Sequence, residues 1–124
     1  MVAVLIGLII SGCGNSQKAE EEAELAFPEA SFTMSTEAAK VNEEITFTTQ
    51  VTEGKESVED ADVNYEFWME GEDDEEHPLI PVDHEGDGVY VLKKSFEKPG
   101  KYYMYYHVDA RGMHLMDKRE FIVE

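Results

Sequence analysis

The chain has 124 residues, a formal net charge of -18 and a single cysteine. That length holds one domain and a tether, not two domains. The charge argues against a nucleic-acid partner, whose phosphates it would repel, and against a protein lying electrostatically on anionic lipid. One cysteine excludes an intramolecular disulfide and any zinc site built on several thiolates.

Met1 to Ile10 is an apolar run, and residues 1–12 carry no charged side chain. Ten helical residues span about 15 Å, half the hydrocarbon core of a bilayer, which is too short for a stable crossing and right for the apolar part of a signal peptide. The run leads into Ile10-Ser11-Gly12-Cys13. Small residues before a cysteine resemble the lipobox of bacterial lipoproteins. The resemblance implies that the leader, residues 1–12, is cut and that Cys13 becomes a lipidated N-terminus. The basic residues that usually precede such an apolar run are missing, so either the true start lies upstream or the leader is atypical. Polar residues Asn15, Ser16, Gln17 and Lys18 follow, then Glu20, Glu21, Glu22 and Glu24. A stretch of this composition cannot bury enough apolar surface to offset its chain entropy, so residues 13–29 are expected to be an acidic linker.

From Ala30 onward the hydrophobic period is two. About seven short strands are predicted: Ser31–Ser35, Glu44–Thr52, Val63–Glu70, Leu79–His84, Val89–Phe96, Tyr102–Asp109 and His114–Val123. Ile45, Phe47, Thr49 and Val51 share one face of the second. Val63, Tyr65, Phe67 and Met69 share one face of the third, with Trp68 opposite. Short strands parted by Gly, Pro and Asp turns predict an all-β, Ig-like antiparallel β-sandwich over residues 30–124. Tyr102, just after Lys98-Pro99-Gly100-Lys101, occupies the place of the tyrosine corner of Ig-like folds, with Met104 where many such domains keep a core cysteine.

Two segments carry a family resemblance. Asp83-His84-Glu85-Gly86-Asp87-Gly88-Val89-Tyr90 and His107-Val108-Asp109-Ala110-Arg111-Gly112-Met113-His114-Leu115-Met116 resemble YtkA-like, or FixH-like, domains. These are Ig-like domains of bacterial membrane-associated proteins, many of them lipoproteins. The likeness extends roughly over Phe32–Val123. It implies an association with assembly of copper-containing respiratory oxidases. A Pro often follows the last Met in such domains, where this chain has Asp117.

His107, Met113, His114 and Met116 flank one predicted hairpin. Imidazole suits copper in either oxidation state and thioether sulfur selects Cu(I). Without a cysteine thiolate the set is not a blue-copper centre and fits transient copper binding. Register decides whether these groups converge. A four-residue loop, Asp109–Gly112, sets His107 opposite His114, whereas a five-residue loop pairs Val108 with His114 and sends His107 to the other face. The same methionines also suit plain packing. His84 is a further candidate ligand if its turn meets that hairpin. His77, before Pro78, is expected to be an ordinary loop residue, and the acidic run Glu70–Glu76 a solvated loop without calcium-loop spacing. No nucleophile motif or phosphate loop is present, so no catalytic residue is assigned and the chain is not expected to be an enzyme. The reading is a lipid-anchored protein on the outer face of the cell membrane that binds copper and serves an oxidase-assembly partner. The alternative is a metal-free Ig-like interaction module.

Overall fold

The computed structural model describes residues 27–72 and 76–124, so Cys13, most of the linker and the centre of the acidic run lie outside the described residues. Two sheets face one another. The first holds β1 (Pro28–Met34), β3 (Ile45–Glu53), β8 (Val89–Lys94) and β7 (Asp83–Gly86) in that order, with the short β4 (Glu56–Ser57) beside β3. The second runs β2 (Ala38–Ala39), β10 (Met113–Val123), β9 (Gly100–Ala110), β5 (Asp62–Met69) and β6 (Ile80–Pro81). Among the described residues all pairings are antiparallel except that of β2 with the end of β10. The expected antiparallel sandwich is present.

Alternation builds the core. Ile45, Phe47, Thr49 and Val51 of β3 are fully buried, facing Val63 and Tyr65 of β5 and Tyr102, Met104, Tyr106 and Val108 of β9. Phe67 and Met69 pack against this cluster while partly exposed. Thr49 is the one buried polar residue among those described, and its hydroxyl shares a 2.6 Å hydrogen bond with the Tyr65 hydroxyl. Each group thereby satisfies the other in the apolar interior. Burial pushes the Tyr65 hydroxyl up to about 12, with the Thr49 bond pulling weakly the other way.

The Tyr102 hydroxyl donates to the Lys98 carbonyl at 2.8 Å, closing the expected tyrosine corner. Tyr102→Phe is expected to cost about 0.5–1.5 kcal/mol in a chemical-denaturation midpoint, because the Lys98 carbonyl loses its partner. A stability equal to wild type would show that the corner bond is idle.

Among the described residues there are ten strands where seven were expected. The predicted Leu79–His84 strand divides. Ile80–Pro81 pairs with β5 in one sheet, buried Val82 forms the crossing, and Asp83–Gly86 pairs with β8 in the other. The added strands β2 and β4 have two residues each, too few to display a period. The first strand also begins three residues before the expected Ser31, at buried Pro28 paired with Glu53.

The β9–β10 hairpin corrects the expected loop. Only Arg111 and Gly112 turn the chain, with φ of 54° and 76°, and Ala110 pairs with Met113. This is the two-residue turn whose twist suits a hairpin, and it needs a positive φ at both positions. Arginine gives no sequence warning of that. Here its guanidinium is held outside the turn, by Glu53 at 3.3 Å and Asp60 at 2.8 Å. These tie the hairpin tip to the opposite sheet and its connecting loop.

Candidate metal centre

The short turn sets the register, and the register sets the site. His107 pairs with Met116, and Asp109 with His114. Directly paired residues share a face, as do residues two apart on one strand. His107, Asp109, His114 and Met116 therefore all lie on the outer face of the second sheet. On β5 the same face carries Asp62, Asn64, Glu66 and Trp68, with Asn64 opposite His107 and Glu66 opposite Tyr105.

The two imidazoles meet edge to edge. His107 Nδ1 lies 3.3 Å from His114 Nε2. Each ring's other nitrogen is already engaged: His107 Nε2 lies 2.7 Å from Glu66 Oε1, and His114 Nδ1 lies 2.7 Å from Asp109 Oδ1. A carboxylate only accepts, so both of those nitrogens donate. In the neutral rings, His107 Nδ1 and His114 Nε2 are left as two lone pairs pointing at one gap. Facing lone pairs repel unless a proton or a metal cation lies between them. Bonds of about 2.0–2.1 Å from each nitrogen to one metal would meet at an angle of about 105–110° across the 3.3 Å separation. That angle suits a low-coordinate or tetrahedral ion. A carboxylate behind each imidazole is also the usual support of metal-binding histidines, fixing the ring and raising its basicity.

Exposure grades across the pair. The His107 side chain is 14% exposed and that of Glu66 19%, whereas His114 is 46% exposed. Met116, also exposed, stands beside His107 across the strand pair. One ligand candidate is thus anchored and two are open to an approaching molecule. An open groove of about 500 Å³ runs past them, lined by His114, Met116, Tyr106 and the start of β1. Among the described residues, no three His, Cys, Asp or Glu side chains form a group able to hold a metal by themselves. Any centre here needs the Met116 thioether or an outside ligand as its third donor.

Two candidates fall outside this cluster. Met113 pairs with buried Ala110, which places it on the opposite face from His107. Its place follows from the two-residue turn, which no sequence signal marked. His84 belongs to the other sheet, where it pairs with Tyr90, lies tilted against that ring at 4.7 Å and meets Glu59 at 3.2 Å. Sequence reasoning missed Glu66 and Asp109, the two carboxylates behind the imidazoles. Asp109 stands where the expected strand ends and the expected loop begins, and Glu66 sits 41 positions from His107. Only the sheet order joins them.

With this geometry in hand, comparison with known proteins places the chain. The model of the YtkA-like family matches residues 28–107, more than half of the sequence. The chain belongs to the YtkA-like family. The matched range takes in the Asp83–Tyr90 segment and stops at His107, so His114 and Met116 lie beyond it. No curated protein sequence matches the chain. Among solved structures, the soluble domain of PmoD from Methylocystis sp. is similar with a TM-score of 0.54 at 8% identity, over 79% of this chain and 93% of that one. The Pseudomonas fluorescens alkylpurine DNA glycosylase AlkC, bound to DNA with an abasic-site analogue, matches with a TM-score of 0.55 at 12% identity, over 78% of this chain. This YtkA-like chain spans only 30% of the glycosylase. At these identities the likeness is one of fold.

Proposed function

We propose that this YtkA-like protein is a membrane-tethered copper carrier, binding Cu(I) transiently through His107, His114 and Met116 and yielding it to a respiratory copper enzyme during assembly. The observation that carries this reading is the facing pair of imidazole nitrogens, 3.3 Å apart, each backed by a carboxylate at 2.7 Å. Two neutral nitrogens and one thioether make a soft, uncharged donor set, which favours Cu(I) over harder divalent ions. The exposure of His114 and Met116 supports a site that a partner's ligands can reach and empty. The family resemblance in the sequence points to the same kind of partner.

The test is a titration of the purified domain with Cu(I) under reducing conditions against a competing chelator. One copper ion per chain, held against the chelator, is the expected result. Weak binding without a fixed stoichiometry would favour the metal-free interaction module.

The tether is part of the same proposal. Ile10-Ser11-Gly12-Cys13 supports lipid attachment at Cys13 and residence on the outer face of the cell membrane. Cys13→Ala is expected to leave the precursor uncleaved or to release the protein from the membrane fraction. Processing and retention equal to wild type, followed by fractionation and mass spectrometry, would remove the lipid anchor from the account.

A further inference from the structure

His77 was expected to be an ordinary loop residue, and its surroundings are not those of one. Its side chain is only 13% exposed, and its ring stacks on Trp68 at 4.9 Å with an interplanar angle of 11°. Trp68 is itself packed against Tyr103 at 5.8 Å and Tyr105 at 5.4 Å, so strands β5 and β9 together build the floor under the histidine. His77 Nε2 lies 3.0 Å from the Glu72 carbonyl oxygen. A carbonyl accepts only, so that nitrogen donates and the ring orientation is set at both its face and its edge. The other nitrogen, Nδ1, lies 3.5 Å from Glu66 Oε2, an ion-pair contact that attracts the carboxylate when the ring carries both protons.

Glu66 is therefore divided between two histidines. One oxygen takes the His107 Nε2–H at 2.7 Å and the other faces His77. A glutamate has three side-chain torsions and loses substantial rotamer freedom when held in one geometry. The 2.7 Å bond to His107 holds one oxygen of Glu66, and the contact with His77 restrains the other. We infer that His77 is a positioning residue for the candidate metal centre: it holds the Glu66 carboxylate against His107 Nε2–H, which fixes the His107 ring with Nδ1 directed at His114. The geometry stands independently, and its use in copper binding rests on the function proposed above.

The experiment compares wild type with His77→Ala, His77→Asn and Glu66→Gln, each checked for an unchanged unfolding midpoint. Two quantities are read: the Cu(I) affinity against the competing chelator, and the downfield NMR resonance of the His107 Nε2–H in the metal-free protein. A proton bonded to a carboxylate exchanges slowly enough to be seen, and one facing water does not. His77→Ala is expected to weaken Cu(I) binding about three- to tenfold, somewhat less than direct loss of an outer-shell partner, and to erase the resonance. Asparagine places an amide N–H near the position of the histidine Nδ1, so His77→Asn is expected to restore part of both. If His77 acts through Glu66, adding His77→Ala to Glu66→Gln should cost no more than Glu66→Gln alone. An unchanged affinity and an unchanged resonance in His77→Ala would overturn the inference, as would full additivity with Glu66→Gln. If wild type takes up no Cu(I), the carrier reading fails and the resonance alone decides: its persistence without His77 overturns the positioning role, and its loss sustains it. Should His77→Ala not fold, His77→Phe, which keeps a ring on Trp68 and removes the nitrogen facing Glu66, carries the same comparison, a weakened affinity with a lost resonance supporting the inference and wild-type values of both overturning it.

Discussion

Phe47→Ala is expected to cost the domain about 3–5 kcal/mol, the range for truncating a buried aromatic ring. Phe47 has no exposed surface and lies in the first half of β3. Its ring centre is 5.1 Å from that of Phe67 and 5.6 Å from Phe121, with Tyr65 at 6.2 Å, Phe32 at 6.3 Å and Phe96 at 6.4 Å. These rings come from both sheets. They also hold one another in mixed stacked, tilted and edge-on contacts, so they cannot all move in to fill a void. The loss is a large part of the about 5–15 kcal/mol that stabilises a domain of this kind. A urea titration should show the midpoint falling with the slope unchanged. A shift worth less than about 1 kcal/mol would mean that the sheets close over the cavity, and that the aromatic cluster is not what holds them together.

Much of this fold is legible in the sequence. Alternation in Ile45–Val51 and in Val63–Met69, broken at Trp68, marks the inner faces of β3 and β5, and the Pro99-Gly100 turn before Tyr102 marks the corner. Elements too short to show a period are not legible: β2 and β4 exist because a neighbouring strand end offers unpaired backbone groups. The candidate centre is legible in part. Two histidines and a methionine at His107, His114 and Met116 stand out by type. Whether they share a face turns on the loop, and Arg111, with its positive φ, meets Glu53 and Asp60, residues far away in the chain. A loop one residue longer would send His107 and His114 to opposite faces. The carboxylates are less legible still. With 28 acidic residues in the sequence, neither Glu66 nor Asp109 is distinguished from the rest until the strands are in register.

His114→Ala is expected to weaken Cu(I) binding at least tenfold, and His107→Ala to do the same, because each removes one of very few donors. The two losses should not add. With either ring gone the gap between the nitrogens is gone, and the remaining imidazole and thioether make an ordinary weak site. The deeper ring, His107, carries the stronger expectation. It is the less exposed of the two, and its loss also takes from the Glu66 carboxylate, at 19% exposure, the closer of its two histidine partners. His84→Ala provides the control. It changes a histidine of the opposite sheet, paired with Glu59, and is expected to leave the affinity alone. Chelator competition reads all four variants. If His84→Ala and His114→Ala weaken binding equally, the copper is held by scattered surface histidines and the paired site is wrong.

The most direct test of the carrier reading is X-ray absorption at the copper edge on the wild-type protein loaded with one equivalent of Cu(I). The expected shell holds two imidazole nitrogens at about 2.0 Å and one sulfur at about 2.3 Å, by analogy with other metal–nitrogen and metal–sulfur bonds. The sulfur contribution should vanish in Met116→Leu while both nitrogens stay. A shell of oxygens without imidazole scattering, unchanged by Met116→Leu, would contradict the His107–His114–Met116 centre outright.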